Sequence, residues 1–143
     1  MDLSSYLDHF VAEAREHILA ASELASTVDE RTVGEDRLRE LFRHVHSVKG
    51  MAASMGFGAM SALAHDAESL MDLVRQGRIA PQRPTQRILC DALACLERLV
   101  YRAESKQPVD IETLQRHVRR AAGRFVSDRT RRRPMIVPVV MEA

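Results

Sequence analysis

Residues 41–57 read LFRHVHSVKGMAASMGF, a helical period that stops abruptly. Leu38, Leu41, Phe42, Val45, Val48, Ala52 and Met55 recur every three or four positions, the spacing of one apolar helix face. The period breaks at Gly56-Phe57-Gly58, and a second stripe follows: Met60, Leu63, Ala64, Ala67, Leu70, Met71 and Val74, stopped by Gly77. Two helices joined by so short a break fold back on each other as an antiparallel hairpin.

Working outward, Tyr6, Leu7, Phe10, Ala14, Ile18, Ala21, Leu24 and Val28 form an earlier stripe, ended by a polar stretch with Gly34. Downstream, Pro81 and Pro84 punctuate a connection, and Pro84-Thr85 starts a fourth segment with Ile88, Leu89, Ala92, Cys95, Leu96, Leu99 and Ala103. Pro108 and Asp110, the latter as N-cap, set up a fifth with Ile111, Leu114, Val118, Ala121 and Phe125. No strand alternation occurs from Met1 to Phe125. The pattern predicts an all-α fold: an antiparallel four-helix bundle with a fifth helix over one end or side. After Ser127 the run DRTRRRPMIVPVVMEA has no period, so the chain divides into a domain at 1–126 and a basic, proline-containing linker or tail at 127–143.

A chain of 143 residues, 45% hydrophobic and 29% charged, fits one folded domain. Trp is absent and aromatics make up 4%, which suits helix packing better than a β-sandwich. A net charge of +1 gives the whole chain no footprint for nucleic acid. The charge is uneven, however: Arg116, Arg119, Arg120, Arg124, Arg129, Arg131, Arg132 and Arg133 face one nearby acid, Asp128. Such a strip reads as a solvated linker or weak docking strip. Cys90 and Cys95 fall ~140° apart on a helix, unsuited to a disulfide or a shared metal, and read as small core or flank residues. With no apolar run near ~20 residues and no signal peptide, the reading is cytoplasmic, without membrane insertion.

Six histidines remain to be weighed. On a wheel centred on Val45 and Ala52, His46 lies roughly 100° from the core centre, with Lys49 and Ala53 on the same side and Gly50 a little further round. Gly50 and Ala53 are too small to hide the ring, so a second protein can approach it. Glu68 lies roughly 100° from its own stripe, in the same rotational sense. Flanks of one sense in an antiparallel pair either face each other or both point away. Where they face, His46 meets Glu68, because 46 and 68 are symmetric about Phe57, as are Lys49 and His65. His44 sits ~200° round from His46, so those two cannot share a metal, and no metal site is expected. Met51, Met55, Met60 and Met71 read as core filler.

A neutral imidazole, with an ordinary pKa near ~6.5, is a nucleophile at cytosolic pH. A carboxylate that accepts the proton of one ring nitrogen leaves the other lone pair free to attack. Phosphoryl transfer adds a need for in-line approach and nearby positive charge. His46 is the candidate nucleophile, Glu68 the orienting acceptor, Lys49 the cation and His65 a supporting donor.

LFRHVHSVKGMAASMGF, followed by LAHDAESLMDLVRQGRI, resembles the N-terminal phosphotransfer (HPt) domain of CheA-type chemotaxis histidine kinases. YLDHFVAEAREHI also looks like the first helix of that domain, and the resemblance runs from Leu3 to Phe125. It implies five helices, four of them in a bundle, with His46 as the phosphorylated residue, Lys49 and Gly50 as the K-G after it, and His65 and Glu68 as the supporting pair. It further implies phosphoryl arriving from ATP through a separate kinase domain, usually in trans, and leaving for a receiver aspartate of the CheY or CheB kind; Gly50 and Ala53, small and beside His46, are the candidate partner-docking positions. Met51 departs from the smaller residue of many relatives. ATP and Mg belong to those partners: the chain has no Gly-rich phosphate loop, and Gly56 and Gly58 form a helix-hairpin turn. The chain is therefore not a kinase by itself. It reads either as the phosphoacceptor part of a larger kinase or as a free-standing relay protein. The competing class is a helical adaptor whose basic tail touches nucleic acid or membrane.

Overall fold

The computed structural model describes residues 3–28, 34–105 and Arg120. They form four helices, α1 (Leu3–Ser26), α2 (Glu35–Ser54), α3 (Gly58–Arg75) and α4 (Arg83–Ser105), with no strand among the described residues. Each helix packs against its sequence neighbour, and α1 closes the ring against α4. This is the up-down four-helix arrangement that short connections enforce. Apart from Arg120, the fifth segment, Ile111 to Phe125, and the basic run after Ser127 lie outside the described residues.

Two turns share one chemistry. At the end of α2, Phe57 N donates to Ala52 O at 2.8 Å and Gly56 N to Ala53 O at 3.1 Å. At the end of α3, Arg78 N donates to Leu73 O and Gly77 N to Val74 O, each at 3.0 Å. These are the paired closing bonds of a Schellman cap, which needs a left-handed residue just past the helix. Gly56 (φ 76°) and Gly77 (φ 68°) supply it without the clash a Cβ brings. Phe57, thrown out by the first turn, packs on Phe10 of α1 with ring centroids 5.1 Å apart, so the hairpin tip is also stapled to a third helix.

One core runs through the bundle. Ala14 and Ile18 of α1, Leu41, Val45 and Val48 of α2, Leu63 and Met71 of α3, and Leu89 and Leu96 of α4 are all buried in it. The helices bury wider faces than the stripes predicted. Val11, Leu93 and Val100 are buried too, because a bundle helix faces two neighbours. Tyr6, expected in the first stripe, is exposed instead. Met60 and Met71 are buried, and Met51 and Met55 pack half-buried against the same core. Cys90 and Cys95 are half-buried and unbridged, and burial pushes both thiols up.

α1 and α2 also share a polar clasp. His17 Nδ1 and His44 Nδ1 lie 2.9 Å apart in a half-buried groove, their rings 5.2 Å apart between centroids. An N–H···N hydrogen bond needs one neutral ring as acceptor. Burial, then the charge of His17, holds the His44 imidazole below its ordinary value; Glu40 pulls it back and Arg43 adds to the lowering. A folded-state value below the unfolded one means the unfolded chain takes up the proton first as pH falls. Stability from this clasp is therefore whole above ~6.5, the ordinary histidine value, and declines below it. Urea unfolding at pH 8 and pH 5 checks this: the loss on acidification is smaller in His44→Gln than in the wild type.

Candidate functional site

The Gly56 turn sets α2 and α3 antiparallel and level, and their facing flanks meet over the groove. His46 Nδ1 lies 2.6 Å from Glu68 Oε1, and Lys49 Nζ lies 2.6 Å from Glu68 Oε2. The exposures differ sharply: the Glu68 side chain is 7% exposed, Lys49 25% and His46 62%. A carboxylate buried that deeply is tolerable only when paired and hydrogen-bonded. Here each oxygen has its own partner.

This arrangement determines which end of the imidazole is available. A carboxylate only accepts, so Nδ1 carries the shared proton. In the neutral ring the lone pair then sits on Nε2, which makes no hydrogen bond among the described residues. The outcome is an outward-facing nucleophilic nitrogen whose tautomer is set from inside the protein, with an ammonium one turn along the same helix.

The sequence-predicted residues are placed unequally. His46, Lys49 and Glu68 come together as one unit. His65 does not join it: it is exposed, and its side chain enters no hydrogen bond or ion pair among the described residues. Counting levels set Lys49 opposite His65, yet the long lysine arm swings back a turn to the buried charge of Glu68. Gly50 and Ala53 are exposed beside His46, and a Cβ added at Gly50 meets nothing within 4 Å. That glycine is therefore not required by packing. Among the described residues no three His, Cys, Asp or Glu groups converge as a metal site, and no helix is long and apolar enough to cross a membrane.

Sequence reading put Phe42 in the core stripe, whereas the structure also sets its ring against His46, 6.1 Å between centroids and 14° between planes. Arg75, from the last turn of α3, stands 5.6 Å over the Phe42 ring. The i, i+4 spacing of Phe42 and His46 was the available signal.

A match to the Hpt domain family spans residues 5–106. The chain belongs to the Hpt domain family. Within it, the chemotaxis protein CheA of Bacillus subtilis (strain 168) is 32% identical over 100 residues, covering 70% of this chain and 15% of that protein. CheA of Halobacterium salinarum is 35% identical over 77 residues, 54% of this chain and 12% of that protein. The chain thus spans a small fraction of the length of these relatives. In fold it is similar to the phosphorylated P1 domain of CheA3 in complex with CheY6 from R. sphaeroides, with a TM-score of 0.73 at 21% identity, covering 86% of this chain and 99% of that one.

If His46 is a phosphoryl acceptor whose imidazole Glu68 orients, Glu68→Gln slows its labelling by about 10- to 100-fold, the worth of one charge-assisted hydrogen bond, with the helical circular dichroism unchanged. An unaltered rate removes Glu68 from the mechanism.

Proposed function

We propose that this Hpt domain is a phosphocarrier of chemotaxis-type two-component signalling, accepting a phosphoryl group on His46 Nε2 and passing it to a receiver aspartate. The observation that carries the reading is the 2.6 Å contact between Nδ1 of a 62%-exposed histidine and a buried carboxylate. Membership of the family and the similarity to CheA proteins support it.

The Nε2 lone pair attacks the γ-phosphorus of ATP presented by a separate kinase domain. The N–P bond forms as the bond to the ADP oxygen breaks, and the pair of that bond leaves with ADP. The Nδ1 proton stays between ring and Glu68, so the positive charge on the phosphorylated imidazole is met by a fixed carboxylate. Lys49, one turn along α2 and paired with Glu68, is the cation assigned to lower the cost of charge on the equatorial oxygens. In the second step a carboxylate oxygen of the receiver, of the CheY or CheB kind, attacks phosphorus, and the N–P electrons return to Nε2. Mg and nucleotide belong to the partners. Gly50 and Ala53 keep the approach to Nε2 open, and the cytoplasm is where such partners reside.

Incubation with a CheA-type catalytic fragment, Mg²⁺ and labelled ATP tests the acceptor. Acid-labile label that vanishes in His46→Gln is the expected result, and label persisting in that variant overturns the assignment. The docking side is tested separately by Gly50→Tyr, at an exposed position where an added Cβ meets nothing within 4 Å. It leaves labelling by a small phosphodonor unchanged and slows transfer to the receiver about tenfold, the effect of ~1.4 kcal/mol of lost contact.

A further inference from the structure

Phe42 lies one turn before His46 on α2, half-buried against the core. Its ring runs nearly parallel to the imidazole, at a separation within the range of offset aromatic pairs. From the opposite helix, the Arg75 guanidinium stands over the phenyl ring and is tethered in turn to Asp72 at 3.7 Å. The phenyl ring is therefore held by the core on one side and by a cation from α3. None of the steps described above uses either residue.

The hydrogen bond to Glu68 fixes one atom of the imidazole. A ring held at one atom still rocks about its Cβ–Cγ bond, a torsion with broad wells. Because the Nε2 lone pair lies in the ring plane, rocking sweeps its direction, and in-line transfer depends on direction. A flat neighbour packed against the core alongside restricts that motion. We infer that Phe42 is a positioning residue for His46: its ring, braced by Arg75, holds the imidazole plane at the angle from which Nε2 faces the incoming phosphorus. This rests on His46 being the phosphoryl acceptor. A Phe42 that only fills the core predicts no change at the imidazole when the ring is replaced by an aliphatic side chain.

The test uses the whole chain and two readouts. The first is the imidazole ¹⁵N–¹H NMR of unphosphorylated His46. The second is the initial rate of phosphoryl uptake from phosphoramidate, in which Nε2 bonds to phosphorus as the donor P–N bond breaks and its electron pair leaves with ammonia. Phe42→Leu broadens or averages the His46 signals and slows uptake about 3- to 10-fold, the factor an ordinary aromatic pair supplies. Phe42→Tyr restores both. Arg75→Gln, at an exposed position that does not threaten the fold, slows uptake about twofold by loosening the brace. A folded Phe42→Leu with wild-type signals and rate overturns the inference, as does failure of Phe42→Tyr to rescue. Should Phe42→Leu not fold, an unchanged Arg75→Gln overturns it. Signals that respond to Phe42→Leu in a protein that takes up no phosphoryl at all support the positioning and overturn the acceptor reading instead.

Discussion

A single buried carboxylate organises this bundle. Glu68 is 7% exposed, and its two oxygens hold an imidazole and an ammonium from the facing helix, each at 2.6 Å. Stranding such a charge by removing one partner costs about 3–5 kcal/mol in other proteins. The contact therefore constrains everything around it. It requires α2 and α3 to be antiparallel, level and turned flank to flank, and the Gly56 cap supplies the first two of these. It also makes the histidine asymmetric, with one nitrogen engaged inside and the other presented outside. The proposed chemistry starts from that asymmetry.

Much of this was legible in residue order. The stripes around Val45 and Ala67 announced two helices, and the short glycine break announced their hairpin. With so short a turn, height along the hairpin follows from counting, which pairs 46 with 68 from residue order alone. A wheel alone left open whether the flanks faced or diverged, because that depends on packing against α1 and α4. Counting also set Lys49 opposite His65, and there it reached its limit. It compares Cα levels, whereas a lysine side chain spans a full turn and follows the buried charge. The apolar role of Phe42 is legible in the stripe, but its second contact depends on a χ angle that no periodicity encodes. The His17–His44 clasp was invisible for a different reason. More residues separate Ser26 from Glu35 than separate Ser54 from Gly58, so levels across that pair cannot be counted from residue order.

In the proposed reaction the labour is divided by what the chain holds. It supplies an oriented nucleophile and a nearby cation on rigid helices, the scaffolding that keeps catalytic geometry tight. The small exposed residues beside His46 leave its outer nitrogen open, which suits the two large partners proposed for it. Stability is supplied elsewhere, by the continuous apolar core.

The central claim is that Glu68 occupies Nδ1 and leaves Nε2 to react. It is tested most directly by ³¹P–¹⁵N coupling in the phosphorylated, ¹⁵N-histidine-labelled chain. The account predicts that the phosphorus couples to Nε2 of His46, with Nδ1 still protonated. Phosphorus bonded to Nδ1, or to another histidine, contradicts it.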